Sequence, residues 1–285
     1  MLALAAAGCE RSDGDAERPA TDAPIAFAED PVRVRSVDGI EAPLAAVHDA
    51  DADVYFVASG AGYIARVTPG GAPDSLRFIE GGRGGVELAS PVALAIVGGT
   101  LWVLDGTMLR AFDRATGAPA GAFDLAAAGA VAPGDLAAAG DSALYVADAR
   151  AGRIWRIDSS LDVWPVLPDS TPPRPEAIAW DPVAGRLLIA SGAGAGLLSW
   201  TPGSTDAVAV APGAPLSGIA VFPDGGILVA SAEEANIYRI DGARLVPAVP
   251  DVAAPAIAPD ARRGRLLVPF TAADRLEVWG ARGDA

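Results

Sequence analysis

Residues 215–241 read PLSGIAVFPDGGILVASAEEANIYRID and predict three β-strands joined by short connections. The first strand is the apolar run Gly218–Val221, and the residues after it, Pro223–Gly226, are typical of a tight turn. A second apolar run, Ile227–Ser231, is followed by a polar loop and by Ile237–Ile240, which alternates apolar and polar residues. This succession of strand, turn, strand, loop and strand is a β-meander.

The same unit recurs along the chain. Its second strand is the easiest to recognise, as a short apolar run in six places: Val54–Val57, Leu101–Leu104, Leu144–Ala147, Leu187–Ala190, Ile227–Ala230 and Leu266–Pro269. Successive copies begin 39 to 47 residues apart, which is the period of β-propeller blades with four strands each. The sequence therefore predicts an all-β fold, a six-bladed β-propeller of four-stranded antiparallel blades.

The last copy of the unit is incomplete. Only residues 280–285, GARGDA, follow its third strand, and they are too polar to form an outer strand. A predicted strand at about Val32–Val37 precedes the first copy and has no partner there. We expect it to complete the last blade, because an open ring would expose unpaired strand edges. Residues 25–285 are then a single propeller domain.

Composition narrows the possible functions. The 285 residues carry a formal net charge of −15, and such an acidic chain repels nucleic-acid phosphates. No run of about 18 apolar residues follows the N-terminus, so a membrane-spanning helix is not expected. The chain has one cysteine and therefore cannot form an internal disulfide.

Residues 1–9, MLALAAAGC, end in small residues followed by Cys9, and they resemble a truncated bacterial lipoprotein signal segment. The resemblance implies lipidation of Cys9 and a place in the bacterial cell envelope, outside the cytoplasm, with the lipid as the only membrane contact. Residues 10–24 are charged and lack large apolar side chains, which predicts a flexible acidic linker. The alternative is a frayed apolar N-terminus with an incidental cysteine.

The predicted blades also place candidate site residues. The innermost strands of a propeller surround its central channel. The residues expected where these strands begin are Leu44, Val92, Gly134 or Asp135, Glu176, Ser217 and Pro255. Asp135 and Glu176 come from neighbouring blades and could share a divalent cation such as calcium, with Ser217 as a further oxygen ligand. The alternative is that both carboxylates are simply solvated at the channel mouth.

Residues 48–53, HDADAD, look like metal ligands but fall at the first turn of their unit. An EF-hand loop starting at Asp49 would need glycine at Val54 and glutamate at Gly60, so an Asp-rich turn is the preferred interpretation. A single histidine, His48, excludes a histidine-rich zinc site and gives no credible catalytic triad. The six tryptophans fall on predicted strands, which favours packing between blades over a stacking platform for a sugar or quinone.

Two pairs of segments carry a family resemblance. They are PEAIAW at 175–180 with GRLLIAS at 185–191, and LYVAD at 144–148 with GRIWRID at 152–158. They resemble six-bladed propellers of the NHL-repeat type, and the resemblance covers nearly all of the chain from about Val32. It implies the fold and says little about function, because unrelated activities share this architecture.

A more distant similarity is to gluconolactonase-like propellers, in which Glu, Asn and Asp hold a divalent metal at the channel mouth. The corresponding positions of this chain are Pro43–Leu44, Glu176 or Ala177, and Ser217. The family's ligands are therefore replaced, which weakens the inference of lactonase activity. The favoured function is a non-catalytic binding or scaffold module for a protein, peptide or glycan. The alternatives are a metal-dependent lactonase or hydrolase, and a subunit of a larger cell-envelope complex.

Overall fold

The computed structural model of the chain describes residues 25–140, 143–167 and 174–284. Within these residues, 24 strands form six antiparallel sheets of four strands each. The predicted six-bladed β-propeller is confirmed. The predicted signal segment with Cys9, and the predicted linker at 10–24, lie outside the described residues.

The strands of each blade run outward from the channel in one order. The innermost strands are β2 (Pro43–Asp49), β6 (Pro91–Val97), β10 (Asp135–Ala139), β14 (Pro175–Asp181), β18 (Gly218–Val221) and β22 (Ala258–Asp260). The second strands are β3 (Val54–Ser59), β7 (Thr100–Asp105), β11 (Ala143–Asp148), β15 (Arg186–Ser191), β19 (Ile227–Ser231) and β23 (Arg265–Phe270). The third strands are β4 (Tyr63–Val67), β8 (Met108–Asp113), β12 (Arg153–Asp158), β16 (Gly196–Trp200), β20 (Asn236–Asp241) and β24 (Arg275–Gly280). The outer strands are β5 (Pro73–Glu80), β9 (Pro119–Asp124), β13 (Val163–Pro165), β17 (Val208–Ala211), β21 (Arg244–Pro250) and, in the last blade, β1 (Val32–Asp38).

The N-terminal strand closes the ring as predicted. Strand β1 pairs antiparallel with β24, from Val32 opposite Gly280 to Asp38 opposite Arg275. Val34 and Val37 point inward and are buried among apolar side chains of the first and last blades. The last blade thus takes one strand from the front of the chain and three from its end, which removes the seam that an open ring would have.

The core lies between neighbouring blades. Tyr55 and Val57 of β3, for example, pack in one cluster with Leu276 and Val278 of β24. Most residues of the second strands are fully buried because a blade covers each of their faces, whereas several outer-strand residues are exposed. Continuous apolar second strands and more polar outer strands follow from this difference in burial.

The innermost strand of the last blade differs from the prediction. The sequence predicts a strand over Pro255–Ala258, but β22 begins only at Ala258 and ends at Asp260. Three other innermost strands begin at a proline, so Pro255 alone does not account for the later start of β22. The residues before β22 still run along the channel, which leaves the predicted position of Pro255 at the channel intact.

The segment before β1 crosses one face of the ring. Phe27 packs on Phe222 with ring centroids 5.6 Å apart, and Arg239 donates a hydrogen bond to the carbonyl oxygen of Ala28. Gly264, at φ +60°, approaches this segment so closely that a Cβ there would lie 2.4 Å from the Ala26 carbonyl oxygen. Phe222 and Gly264 belong to turns between first and second strands. We call the face that carries these turns the rear face, and the opposite one, where the innermost strands begin, the mouth face.

The two helices among the described residues are short 3₁₀ turns, Leu125–Ala128 and Thr271–Ala273. No helix in this part of the chain combines the length and the hydrophobicity that crossing a membrane requires.

Candidate functional site

A cavity of about 610 Å³ occupies the central channel. Its lining includes every residue that the sequence placed at the channel mouth: Leu44, Val92, Gly134, Asp135, Glu176, Ser217 and Pro255. It also includes residues from the far ends of the innermost strands, such as His48, Ile96 and Trp180. The cavity therefore extends along the channel from the mouth face toward the rear face, and the six blades together form one candidate site.

The loops that lead into the channel are held by polar side chains at the ends of second strands. The buried Asp148 accepts hydrogen bonds from the backbone N–H groups of Val131 and Ala132, at 2.7 and 2.9 Å, just before β10. In the preceding blade, Asp105 accepts from the N–H groups of Ala89 and Ser90 before β6. Charged acceptors make such hydrogen bonds strong, so these contacts fix where the innermost strands begin.

Asp135 is the first residue of β10 and faces the channel. Its Oδ1 accepts from the N–H of Leu136 at 2.9 Å, and its Oδ2 accepts from the N–H of Ile178 in the next blade at 2.8 Å. Burial among the channel walls raises the pKa of Asp135 to about 7, although the two N–H groups act in the opposite direction. Desolvation disfavours the charged form of a carboxyl group, and here it outweighs two hydrogen bonds.

Glu176 and Ser217 line the same cavity but have other partners. Glu176 forms an ion pair with Arg174 at 2.5 Å, and it packs where Gly192 has no side chain, since a Cβ there would lie 2.3 Å from its Cγ. The Ser217 hydroxyl lies 2.8 Å from the carbonyl oxygen of Ala254 and also accepts from the N–H of Ala232 at 3.1 Å. Ser217 thus links the last two blades through their backbones.

The predicted cation site is therefore made of three residues that share a cavity and are each bonded elsewhere. Within residues 25–140, 143–167 and 174–284, no three His, Cys, Asp or Glu side chains form a group that could hold a metal ion. A serine hydroxyl that already bonds two backbone groups is a weak calcium ligand, and oxygen-only sites need about six ligands. Calcium binding by Asp135, Glu176 and Ser217 stays a prediction.

The raised pKa of Asp135 predicts a pH-dependent stability. The folded-state pKa of about 7 exceeds the ordinary value of 3.8, so the folded chain binds more protons than the unfolded chain between these values. The free energy of unfolding should therefore fall as pH rises from about 4 to about 7, by roughly 1–3 kcal/mol after allowing for water in the channel. Urea unfolding between pH 4.5 and 8 in the presence of EDTA would measure this fall.

Asp135→Asn is the matched variant for this measurement. Asparagine cannot ionise, so the fall attributed to Asp135 should be missing, whatever constant offset the lost hydrogen bond adds. Wild-type and variant curves that stay parallel across the pH range would show that Asp135 does not titrate as described.

The sequence interpretation missed a polar cluster at the rear end of the channel. His48 belongs to β2 rather than to the following turn, so its predicted position was wrong. Its side chain is 3% exposed, with Nε2 3.2 Å from Asp53 Oδ1 and Nδ1 3.3 Å from Asp260 Oδ1. Tyr55 donates to Asp260 Oδ2 at 2.6 Å, and Arg263 binds Asp53 through both terminal nitrogens.

This cluster joins the first blade to the last. The Arg263 guanidinium holds the pKa of Asp53 well below its ordinary value, and burial together with the contact to Asp260 raises the pKa of Tyr55. Tyr55 and Asp260 are fully buried, so each satisfies a polar group that water cannot reach. The sequence contained one signal for this cluster. Polar residues occur in the first copy of the unit and again in the last copy, about 200 residues away.

The tryptophans agree only in part with the expectation that they pack between blades. Trp155 and Trp200 are buried between blades, but Trp164 is exposed on β13 beside Arg156. Trp180 lines the channel and stacks on Tyr145, with ring centroids 5.9 Å apart and an angle of 7° between the rings. Trp180 thus gives the channel an aromatic wall section near its rear end.

No protein-family model matches the chain, and no curated protein matches it either. Solved structures do resemble it. A protein of unknown function from Bacteroides thetaiotaomicron superposes with a TM-score of 0.63 at 10% identity, over 90% of this chain and 75% of that one. A catalytically inactive virginiamycin B lyase from Staphylococcus aureus, solved with quinupristin, gives a TM-score of 0.60 at 16% identity, over 84% of this chain and 80% of that one.

A chain of the mitotic checkpoint complex gives a TM-score of 0.63 at 12% identity, over 99% of this chain and 98% of that one. These proteins differ from one another in what their names describe. At such low identity the likeness shows the fold, and one fold hosts many activities. This chain is therefore similar to known β-propellers in architecture.

Proposed function

We propose that this chain is an exported binding module, anchored to a membrane through a lipid on Cys9, that presents its mouth face to a protein, peptide or glycan. The observation that carries the proposal is the path of the N-terminal segment. Phe27 and Ala28 are held on the rear face by Phe222 and Arg239, and Val32 enters the last blade from the same side. A tether that arrives at the rear face leaves the mouth face pointing away from the membrane.

The predicted linker is long enough for this arrangement. Any flexible chain of 15 residues, the length predicted for this linker, has a root-mean-square span of about 20 Å. A span of this size would hold the ring off the membrane surface while keeping it close. The resemblance to NHL-repeat propellers stays part of this proposal. A rigid ring that carries many loops suits recognition of a partner.

A non-catalytic role agrees with the chemistry of the channel. His48, the one histidine of the chain, is enclosed between two carboxylates at the rear end, and Ser217 is bonded to backbone groups at the mouth. Among the residues that the structure describes, no general base therefore lies next to an unbonded hydroxyl group in the cavity. The metal-dependent lactonase or hydrolase alternative has less support, because its metal ligands would be residues already bonded to other groups.

Two exposed valines provide a matched test of which face binds. Val131 is 54% exposed in the loop before β10 on the mouth face, and Val183 is 68% exposed in a rear-face turn. The soluble Cys9→Ser chain would be immobilised and exposed to envelope extract and to a glycan array. We expect Val131→Lys to weaken binding of the captured ligand at least about tenfold, a typical cost of placing a charge in an interface core, and Val183→Lys to leave it unchanged.

The possible results of these experiments distinguish the proposed binding module from its alternatives. Binding lost in Val183→Lys but kept in Val131→Lys would contradict the proposed orientation, and capture of nothing would contradict a binding module. A partner that co-purifies in a fixed ratio through the mouth face would identify a subunit of an envelope complex. Incorporation of a labelled acyl chain should require Cys9, and labelling that persists in Cys9→Ser would refute the anchor.

A further inference from the structure

We propose that the central channel binds a small, elongated amphipathic cation, with its apolar body along the channel and a protonated amine at Asp135. This ligand is separate from the macromolecular partner of the mouth face, and the inference does not depend on the lipid anchor. It rests on the size of the cavity, the chemistry of its walls and the one carboxylate of its lining that has no cationic partner.

The size of the cavity fits a small molecule. Its volume of about 610 Å³ lies within the usual range of roughly 300–1,000 Å³ for small-molecule sites. Val92 and Ile96 both line it and lie four residues apart on β6, which is about 13 Å along a strand. The site is thus deeper than a surface depression and suits an elongated molecule better than a folded partner.

Most side chains of the cavity lining are apolar. Leu44, Val92, Ile96 and Ile178 line the cavity together with many alanines. Such walls favour an apolar body, because burial of its surface away from water is the main source of affinity for small ligands. Trp180 is partly buried, lies toward the rear end of the wall and stacks on Tyr145, so a ligand that reaches this end would lie close to its ring.

The polar side chains of the cavity lining differ in whether they can still bind a charged ligand. Glu176 is neutralised by Arg174, Ser217 bonds backbone groups, and His48 is held between Asp53 and Asp260. Within the described residues, no side chain forms a hydrogen bond or ion pair with Asp135. Asp135 is therefore the one carboxylate of the channel that lacks a compensating positive charge.

Asp135 is also held ready for a ligand. The N–H groups of Leu136 and Ile178 each bond one of its oxygens, which fixes the carboxylate across two blades. A carboxylate offers about four acceptor positions, so about two remain for an ammonium group. A charge in an apolar channel is costly when unpaired, and an organic cation with an apolar body supplies both the missing charge and the missing contacts.

The test uses three probes of one shape: n-octylamine, 1-octanol and octanoate. Isothermal titration of the soluble Cys9→Ser chain at pH 7.5 with EDTA should show octylamine binding at least about tenfold more tightly than octanol, which corresponds to one charge-assisted contact, and octanoate binding more weakly than either. Propylamine should bind at least about tenfold more weakly than octylamine, because its shorter chain buries less apolar surface.

Two variants locate the site. Asp135→Asn should remove the preference for octylamine over octanol. Glu87→Gln removes a carboxylate that is 84% exposed in a mouth-face loop outside the channel lining, and it should keep that preference. Octylamine should also change tryptophan fluorescence in the wild type, and the change should be lost in Trp180→Phe.

Equal affinities for the three probes in the wild type would overturn the proposal, and this comparison needs no variant to fold. A preference that survives in a folded Asp135→Asn chain would also overturn it. Displacement of octylamine by calcium would assign Asp135 to the predicted metal site instead. Macromolecular binding at the mouth face that persists with octylamine present would leave the proposed function standing whichever way this test falls.

Discussion

Replacing Val37 with aspartate should remove a large part of the stability of the propeller. Val37 is 3% exposed and lies in β1, the strand that completes the last blade. Its side chain packs in one cluster with Tyr55, Leu276 and Val278, so an aspartate there would be an unpaired buried charge. The expected loss is about 3–5 kcal/mol, a large part of the 5–15 kcal/mol that stabilises a typical domain.

Ser36→Asp is the matched control for Val37→Asp. It adds the same charge to the same strand, but Ser36 is exposed on the opposite side of β1. The new carboxylate would stand opposite Glu277 and would lose the hydrogen bond to Asp38, so a loss of about 1 kcal/mol is expected, well below that of Val37→Asp. Urea unfolding followed by tryptophan fluorescence measures both variants. Losses of similar size would mean that the apolar face of β1 does not contribute to the ring.

The second large effect is expected at Asp260, in the cluster that joins the first blade to the last. Alanine there would leave the buried Tyr55 hydroxyl without an acceptor and would remove contacts to His48 and Arg263. Breaking a buried charged network by removing one partner costs about 3–5 kcal/mol. We expect Asp260→Ala to lower the free energy of unfolding by this amount.

Asp181→Ala controls for the turn that follows each innermost strand. Asp181 ends β14 as Asp260 ends β22, and it accepts from the N–H groups of Val183 and Ala184 in its own turn. Its charged partner is Arg186 of the same hairpin, so no contact between blades is lost. The expected loss is about 1–2 kcal/mol. Equal losses in the two variants would contradict a special role for the junction of the first and last blades.

Tyr55→Phe separates the hydroxyl from the rest of the cluster. Asp260 would keep its contacts to His48, Arg263 and the N–H of Arg262. A loss of about 1–1.5 kcal/mol is expected, typical of one hydrogen bond. A loss in the free energy of unfolding as large as that of Asp260→Ala would mean that this one hydrogen bond supplies most of the stability that the cluster contributes.

The periodic sequence was sufficient to predict the ring and the channel. Once second strands such as Leu144–Ala147 and Leu187–Ala190 fix the period, the residues a set distance before them must surround the channel. Asp135 and Glu176 were placed there correctly for this reason. The partner of Val32–Val37 was also predictable, because a ring with one missing strand and one spare strand has a single solution.

Partners outside the repeat were not predictable. The contact of Tyr55 with Asp260 joins residues 205 positions apart, and aspartate also ends the innermost strands β2 and β14, so the residue type did not mark this contact. Arg174 lies just before its blade, and its pairing with Glu176 depends on side-chain direction rather than spacing. His48 was assigned to a turn because the aspartates that follow it suit turns, whereas pairing with Tyr55 extends β2 through Asp49.

Closure of the ring by the N-terminal strand is the claim on which the channel, the two faces and the tether all depend. Native-state amide hydrogen exchange of residues 32–38, read by mass spectrometry, tests it most directly. If β1 pairs with β24, the amides that face β24 should exchange as slowly as those of the buried second strand β23. Exchange of residues 32–38 as fast as that of exposed loops would contradict the closed ring.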